Sequence, residues 1–180
     1  NDYDFQILDS VLKVNDRQRK LLAERVIDYF DGDVSGKKVA IWGLSFKPNT
    51  DDIREAPSHI IIRTLLKAGA EVVGYDPEAI DTTRDVFGDA IDYADGMYSA
   101  VDDADVLVIC TEWNAFRRPD LADVRDRLAQ PVIFDGRNVF EPKRMAEMGF
   151  IYSSIGRPSL PPENDTEAIE TALSENGQPA

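Results

Sequence analysis

The sequence predicts an α/β protein, a Rossmann-like doubly wound parallel sheet preceded by a long α-helix. From residue 37 onward, short apolar segments alternate with helical segments, which is typical of βαβ units whose sheet is covered on both faces. Because such crossovers are right-handed, they predict a doubly wound arrangement. Ahead of this region, apolar residues recur at three- and four-residue spacings over residues 4–30, and this pattern predicts one long helix.

The predicted elements follow one another along the chain. The long helix ends at residues 31–36, which include glycines and aspartates that tolerate the left-handed conformation of a helix end. Strands are predicted at residues 38–42, 71–75, 105–110, 131–135 and 150–152, with a further short strand near 90–93. Helices are predicted at residues 57–68, 78–87, 97–102, 120–129 and 142–148.

Three segments of different character divide the chain. Residues 1–35 carry the long helix, which we expect either to link two domains or to pack against its copy in a dimer. Residues 36–157 form the Rossmann-like domain. Residues 158–180 are acidic, with no basic residue and few large apolar side chains. We expect them to be a disordered tail, because this composition buries too little surface to offset chain entropy.

The composition excludes several classes of protein. A net charge of −14, with 23 Asp and only 7 Lys, argues against a nucleic-acid partner, which usually needs a basic face. The acidic surface suits either an ordinary acidic enzyme or a high-salt cytoplasm. The apolar run Val106–Cys110 is too short to span a membrane, and the acidic start of the chain shows no signal peptide. With Cys110 as the single cysteine, we expect a reducing, cytoplasmic location.

The segment from Gly43 to Ser58 is the strongest candidate for a ligand-binding loop. It joins the first strand to a helix, at the edge where open α/β sheets bind ligands, and it carries Lys47 and Arg54. A lysine there suits an anionic ligand, to which the next helix offers its N-terminal amides. In the alternative, the loop is a solvated connection whose two cations pair with its own acids, Asp51, Asp52 or Glu55.

The same region does not carry the fingerprint of a dinucleotide site. Gly43 is the single glycine of this loop, whereas a dinucleotide loop needs three. After the second strand, Asp76 stands where a cofactor domain places an acid that binds a ribose. The favoured interpretation is that Asp76 caps a helix beginning at Pro77. We therefore do not expect this chain to bind NAD.

The end of the third main strand carries Thr111, Glu112 and Trp113. Trp113 suits a wall of a ligand site, and Glu112 is a candidate either to bind a hydroxyl or to order the loop. Cys110 is expected to be a small buried residue, because no His or Lys lies near it in sequence to activate a thiolate. His59, the only histidine, makes no metal site by itself. The residues indicate binding chemistry without a complete catalytic set.

The end of the fourth main strand carries a second candidate cation, Arg137. Gly136 precedes it and permits an unusual turn, and the guanidinium of Arg137 offers a planar fork that suits a phosphate or a carboxylate. In the alternative, Arg137 forms a surface ion pair of little energetic weight with Asp135 or Glu141.

Five blocks of the sequence resemble one enzyme family in the same order. The blocks are Val14–Gln18, Gly43–Ser58, Thr111–Phe116, Phe134–Asn138 and Tyr152–Arg157. Over about residues 1–157 they resemble the C-terminal half of UDP-glucose 6-dehydrogenases, within the UDP-glucose/GDP-mannose dehydrogenase family. GDP-mannose dehydrogenases share the Phe-Lys loop, but the Thr-Glu-Trp and Asp-Gly-Arg blocks resemble the UDP-glucose branch more closely.

The resemblance implies a UDP-sugar-binding domain that forms a homodimer through the N-terminal helix, with UDP-glucose or UDP-glucuronate as the ligand. By position, Phe46 and Lys47 would contact the UDP-sugar, with Lys47 near the sugar or phosphate. Arg137 would match an arginine that contacts the sugar nucleotide, in some members across a subunit boundary. The candidates for supporting this substrate site are Arg54, Glu112 and Trp113.

Enzymes of this family oxidise the sugar C6 alcohol to a carboxylate in two NAD-dependent steps. The family's NAD domain and its catalytic cysteine block do not occur in this sequence. We therefore expect a fragment or isolated domain with no catalytic residue and no activity of its own, NAD being a cofactor of the parent enzyme only. Two alternatives stay open: the same module of a GDP-mannose or UDP-N-acetylhexosamine dehydrogenase, or a non-catalytic assembly domain.

Overall fold

The protein folds around a sheet of six strands with helices on both faces. The computed structural model describes the backbone of residues 6–157 and the side chains of residues 18–157. The strands are β1 (Lys38–Trp42), β2 (Glu71–Tyr75), β3 (Asp92–Tyr93), β4 (Val106–Ile109), β5 (Val132–Asp135) and β6 (Ile151–Ser154). The helices are α1 (Gln6–Tyr29), α2 (Pro57–Lys67), α3 (Ile80–Phe87), α4 (Met97–Ala100), α5 (Asn114–Arg117), α6 (Leu121–Arg127) and α7 (Pro142–Glu147).

The strands lie in the order β3-β2-β1-β4-β5-β6, and every neighbouring pair is parallel. Val39 of β1 pairs with Val72 on one side and with Val106 on the other, so the strand order reverses between β1 and β4. In open α/β sheets, ligands bind outside the carboxyl ends of the strands at such a reversal. The predicted Rossmann-like, doubly wound fold is confirmed.

The strands form two apolar cores because both faces of the sheet are covered. Alternate residues of β1 point to opposite cores, with Val39 and Ile41 in one and Ala40 and Trp42 in the other. The first core is closed by α1, α2 and α3, and the second by the helices from α4 to α7. Burying a large apolar side chain contributes about 1.5–3 kcal/mol, so these two layers supply the main driving force for folding.

Helix α1 ends where the sequence predicts. Asp31 and Gly32 have φ angles of 54° and 87°, and the amide of Gly32 donates to the carbonyl of Ile27 at 2.9 Å. This left-handed turn satisfies a carbonyl that the helix end would leave unpaired. The predicted start at residue 4 and the predicted tail at 158–180 lie outside the described residues.

Several predicted boundaries differ from the observed ones by about two residues, and two short elements were not predicted. Helix α3 begins at Ile80 rather than near Pro77, because the side chain of Asp76 binds the amides of Glu78 and Ala79 and holds residues 77–79 in a turn. Helix α6 ends at Arg127, earlier than the predicted 129. The additional elements are α5 and a 3-10 helix at Gly88–Ala90. Within residues 6–157, every helix is too short or too polar to cross a membrane.

Candidate functional site

The carboxyl edge of the sheet collects all the candidate site residues. Phe46, Lys47 and Arg54 lie on the loop between β1 and α2, which we call the β1 loop (residues 43–56). Glu112 and Trp113 follow β4, and Arg137 follows β5. Because the strands are parallel, these three loops lie at one edge, as the sequence predicts.

The base of the β1 loop is fixed by side chains from three other elements. The amides of Leu44 and Ser45 donate to Asp76 Oδ2 at 2.8 and 3.1 Å. The carbonyl of Leu44 accepts from Ser58 Oγ at 2.8 Å, and the carbonyl of Ser45 accepts from Thr111 Oγ1 at 2.8 Å. All four backbone polar groups of this dipeptide are therefore satisfied inside the protein, where an unpaired group would be costly.

Gly43 makes this base fit against β4. Its φ angle is +96°, and a Cβ atom there would lie 2.6 Å from Thr111. A side chain at position 43 would push the β1 loop away from the hydroxyl that holds it. Gly43 is therefore needed for close packing of the loop against Thr111. The loop lacks the further glycines that would let a pyrophosphate approach the backbone.

Asp76 is a buried acceptor with six donors. Oδ2 accepts from Leu44 N, Ser45 N, Ser45 Oγ and Trp113 Nε1, and Oδ1 accepts from Glu78 N and Ala79 N. The residue is only 1% exposed. A carboxylate occupied in this way cannot bind a ribose. Asp76 caps a turn before α3, and it also joins the β1, β2 and β4 loops. These residues do not fit a dinucleotide at this edge.

Beyond its fixed base, the β1 loop presents Phe46 and Lys47 to solvent. Phe46 is 48% exposed, and its amide donates to the carbonyl of Asp52 at 2.8 Å, which closes the loop. Lys47 is also exposed, and no carboxylate among residues 18–157 lies within ion-pair distance of its ammonium group. Its charge contributes to lowering the pKa of Asp52. The alternative interpretation, in which Lys47 pairs with an acid of its own loop, is therefore not supported among residues 18–157.

Arg54 forms the ion pair that the alternative interpretation of the loop anticipates. Its guanidinium binds Asp52 through two hydrogen bonds of 2.8 and 2.9 Å. This contact is the main cause of the low pKa of Asp52, which falls to about 2. Arg54 also lines a cavity with three carboxylates, those of Asp51, Asp52 and Asp85. That surrounding favours a role in ordering the loop over direct contact with an anion.

Trp113 lies inside the protein rather than along a ligand wall. It is 7% exposed, its ring packs in the core on the α4–α7 side, and Nε1 donates to Asp76 Oδ2 at 3.1 Å. Trp113 therefore does not form the wall of a ligand site that the sequence suggests. The indole needs a buried acceptor for its N–H, and Asp76 provides it.

The loop after β5 is organised by a second buried aspartate. Asp135 Oδ1 accepts from the amide of Arg137 at 2.8 Å, and Oδ2 accepts from the amide of Val139 at 2.7 Å and from Tyr152 Oη at 2.6 Å. The pKa of Tyr152 is raised, first by burial and then by the charge of Asp135. Asp135 thus fixes the backbone that carries Arg137.

Gly136 does not form the unusual turn that the sequence suggests. Its φ angle is not in the left-handed region. The residue of this loop that adopts the left-handed conformation is Asn138, with a φ angle of 54°. The reason for glycine is space: a Cβ atom at 136 would lie 2.5 Å from Leu22 of α1 and 3.0 Å from the carbonyl oxygen of Ile109. Gly136 therefore allows α1 to pack directly on the edge of the sheet.

Arg137 pairs with Glu112, and neither Asp135 nor Glu141 is the partner of its side chain. The Nε of Arg137 donates to Glu112 Oε2, and the two side chains are partly exposed. The hydrogen bond from Arg137 lowers the pKa of Glu112, and the same contact raises the pKa of Arg137. Glu112 is thereby placed to order the Arg137 loop, and it competes with any anion for this guanidinium.

A cavity of about 360 Å³ lies beside Arg137, between α1 and the carboxyl edge. Its lining residues come from α1, α2 and the ends of β4, β5 and β6: Gln18, Arg19, Leu22, Pro57, Ile61, Cys110, Gly136, Arg137 and Ile155. Phe46 and Lys47 do not line it. The structure therefore brings Lys47 and Arg137 to one edge without placing them in this cavity. The sequence did not single out Arg19, whose nearest signal was the adjacent block Val14–Gln18.

Cys110 and His59 are both buried. Burial raises the pKa of the Cys110 thiol to about 12, which keeps it protonated at neutral pH, and the expected small buried residue is confirmed. His59 is 6% exposed, its Nε2 has no hydrogen-bond partner among residues 18–157, and burial with the nearby Arg63 lowers its pKa to about 4. In the described part of the chain, no three His, Cys, Asp or Glu side chains are grouped to hold a metal ion.

These features define a class of protein: a Rossmann-like domain whose carboxyl edge carries exposed cations and lacks a dinucleotide loop. Residues 40–142 match the family model described as "UDP-glucose/GDP-mannose dehydrogenase family, UDP binding domain". The chain belongs to that family. The resemblance that the sequence blocks suggested is confirmed.

Relatives and solved structures agree with this family. The chain is 46% identical over 161 residues to a UDP-glucose 6-dehydrogenase of Pseudomonas aeruginosa, an alignment that covers 87% of this chain and 36% of that protein. A UDP-glucose dehydrogenase structure from Pyrobaculum islandicum aligns with a TM-score of 0.68 and 31% identity, over 81% of this chain and 31% of that one. An NDP-N-acetyl-D-galactosaminuronic acid dehydrogenase structure from Methanosarcina mazei gives the same TM-score and identity, over 81% and 30%. The chain thus spans about a third of the length of these relatives.

Proposed function

We propose that the carboxyl edge of this domain binds the UDP part of a UDP-sugar. The observation that carries the proposal is the β1 loop, where an exposed aromatic ring and an exposed lysine follow a dipeptide fixed on all its backbone polar groups. An aromatic face suits a base or sugar ring, and an ammonium group suits a phosphate. In a chain of net charge −14, such a cation is a specific local feature.

Arg137 gives the same edge a second cation. With Arg19 it lines the cavity of about 360 Å³, which falls within the usual range of roughly 300–1,000 Å³ for small-ligand sites. A guanidinium can hold a phosphate through two parallel hydrogen bonds. A diphosphate ligand would have to replace Glu112 as the partner of Arg137 or share the guanidinium with it.

The activity of the whole protein is, on this proposal, the NAD-dependent oxidation of UDP-glucose to UDP-glucuronate. This chain would supply binding and orientation of the UDP part, while NAD and the reacting cysteine would be held by the remainder of the length that its relatives have. We expect no oxidation by residues 1–180 alone. A homodimer through residues 1–35, a cytoplasmic location and a place in polysaccharide biosynthesis belong to the same proposal.

The alternatives to this function are a related nucleotide-sugar dehydrogenase and a non-catalytic assembly domain. The second candidate is a UDP-N-acetylhexosamine dehydrogenase, which is supported by the similarity to the NDP-N-acetyl-D-galactosaminuronic acid dehydrogenase of Methanosarcina mazei. A GDP-mannose dehydrogenase belongs to the same family. A non-catalytic assembly domain would instead use α1 for association and would bind no nucleotide. Light scattering near twice the mass of 20.1 kDa, without nucleotide binding, would favour the assembly domain.

Calorimetric titration of the chain with UDP, GDP and NAD tests the proposal. We expect UDP to bind more tightly than the other two. Tighter binding of GDP would move the assignment to the GDP-mannose branch. Tighter binding of NAD would contradict the proposal, since it would mean that the edge accepts a dinucleotide despite the internal engagement of Asp76.

A further inference from the structure

The hydrogen bonds of Asp76 converge on the two residues that precede Phe46. Oδ2 accepts from the amides of Leu44 and Ser45 and from Ser45 Oγ, and its fourth donor is Trp113 Nε1, from the loop after β4. The carboxylate and the indole are both buried. Burying a carboxylate is costly unless such a set of donors satisfies it, so each donor matters to the others.

We infer that Asp76 and Trp113 are positioning residues for the ligand-binding segment Phe46–Lys47. This inference rests on the proposed function, because it concerns the loop assigned there to the UDP-sugar. Neither side chain needs to touch the ligand. Asp76 fixes the direction in which the chain leaves β1. Trp113, in the loop after β4, fixes the carboxylate of Asp76 through its Nε1 hydrogen bond.

The position of Asp76 explains why this arrangement could arise on a Rossmann-like sheet. The end of β2 is the place where dinucleotide domains hold an acid toward a ribose. Here the β1 loop folds back so that its own amides occupy that acid. The carboxylate at this position thereby fixes the conformation of the loop, and the residues that follow, Phe46 and Lys47, are left to contact the ligand.

The positioning role predicts that variants lose order in the β1 loop, which differs from a general loss of stability. Trp113→Phe keeps an apolar ring and removes only the Nε1 donor, and Ser45→Ala removes the hydroxyl donor of the same carboxylate. Both should speed hydrogen exchange at the amides of Leu44 and Ser45. We expect both to weaken UDP binding by roughly three- to tenfold, since a loop that samples several directions is competent for only part of the time.

A matched control is available in the other tryptophan. Trp42 is fully buried and donates Nε1 to the carbonyl of Met97 at 2.9 Å, so Trp42→Phe also removes one indole hydrogen bond. It should lower the melting temperature while leaving the exchange of the Leu44 and Ser45 amides and the affinity for UDP close to those of the parent.

The outcomes separate the inference from the proposed function. A parent chain that binds no UDP would overturn the proposed function and the inference with it. A parent that binds, together with Trp113→Phe and Ser45→Ala variants that bind equally well, would overturn the inference alone. So would an affinity loss that merely follows the melting temperature across all three variants, because Trp42→Phe would then behave like Trp113→Phe.

Discussion

The hydroxyl of Tyr152 donates to Asp135 Oδ2 at 2.6 Å, and this hydrogen bond joins β6 to the carboxyl end of β5. It has a counterpart elsewhere on the carboxyl edge, where Trp113 Nε1, after β4, donates to Asp76 Oδ2, after β2, at 3.1 Å. In both places a buried aspartate at a strand end receives an aromatic donor and the backbone amides of a candidate ligand loop. The two loops that carry Lys47 and Arg137 are therefore built on the same physical principle, a carboxylate satisfied by the loop that it shapes.

Tyr152→Phe should destabilise the fold while leaving the position of Lys47 unchanged. The change removes a donor from a buried charge, which typically costs about 1.5–3 kcal/mol and corresponds here to a fall of several degrees in melting temperature. Tyr98→Phe is the matched control, because Tyr98 Oη only accepts an exposed hydrogen bond from the amide of Asp120. Thermal melting checks this, and equal melting temperatures for the two variants would show that the hydroxyl of Tyr152 contributes nothing.

Lys47→Ala should weaken UDP-glucose binding by about tenfold or more with little change in melting temperature. A charge-assisted hydrogen bond is worth roughly 1.5–3 kcal/mol, and about 1.4 kcal/mol corresponds to tenfold in affinity. Lys67→Ala removes the same charge at the last turn of α2, away from the carboxyl edge, and should bind like the parent. If Lys47→Ala binds normally but melts several degrees lower, Lys47 has a structural role instead.

Arg137→Ala should weaken UDP-glucose binding, whereas Glu112→Gln should strengthen it. Glu112 is the ion-pair partner of the Arg137 guanidinium, and a partly exposed ion pair of this kind is worth up to about 1 kcal/mol. Removing its charge should tighten binding about two- to fivefold at neutral pH, as measured by calorimetry. Weaker binding in Glu112→Gln would show that the pair holds Arg137 in the conformation that the ligand needs.

Stability should fall as the pH drops from about 6.5 to about 4, in part because of His59. In the folded protein burial lowers the pKa of His59 from 6.5 to about 4. Between these pH values His59 is protonated in the unfolded chain but neutral in the folded chain. Unfolding is therefore favoured by on the order of 2 kcal/mol toward pH 4. Above pH 6.5 His59 is neutral in both states and contributes no slope.

His59→Leu should flatten this part of the pH profile of the free energy of unfolding, measured by denaturant titration. Thr83→Val is the matched control, since Thr83 Oγ1 is likewise buried without a partner in the described part of the chain but does not titrate. Its effect on stability should be the same at pH 7 and pH 4.5. A profile for His59→Leu parallel to that of the parent would mean that other groups cause the acid sensitivity.

The sheet could be predicted because its strands are buried on both faces and read as short apolar runs between helices. The same pattern placed Lys47 and Arg137 at one edge. It could not reveal the partners of the buried aspartates, since Asp76 meets Ser45 and Trp113 across 31 and 37 residues of sequence. Nor could it show that Arg137 pairs with Glu112, or that Gly136 makes room for Leu22 of α1. These relations arise only when loops from different strands meet in space.

On the function proposed above, the carboxyl edge of the sheet binds the UDP-sugar through the β1 loop and the Arg137 loop. Titration of the isotope-labelled chain with UDP-glucose, followed by amide chemical shifts in NMR spectra, tests this most directly. We expect the largest shift changes at Phe46, Lys47, Gly136 and Arg137, with no change at the opposite edge around Lys37 and Gly69. Changes confined to that opposite edge, or no change at millimolar UDP-glucose, would contradict the claim.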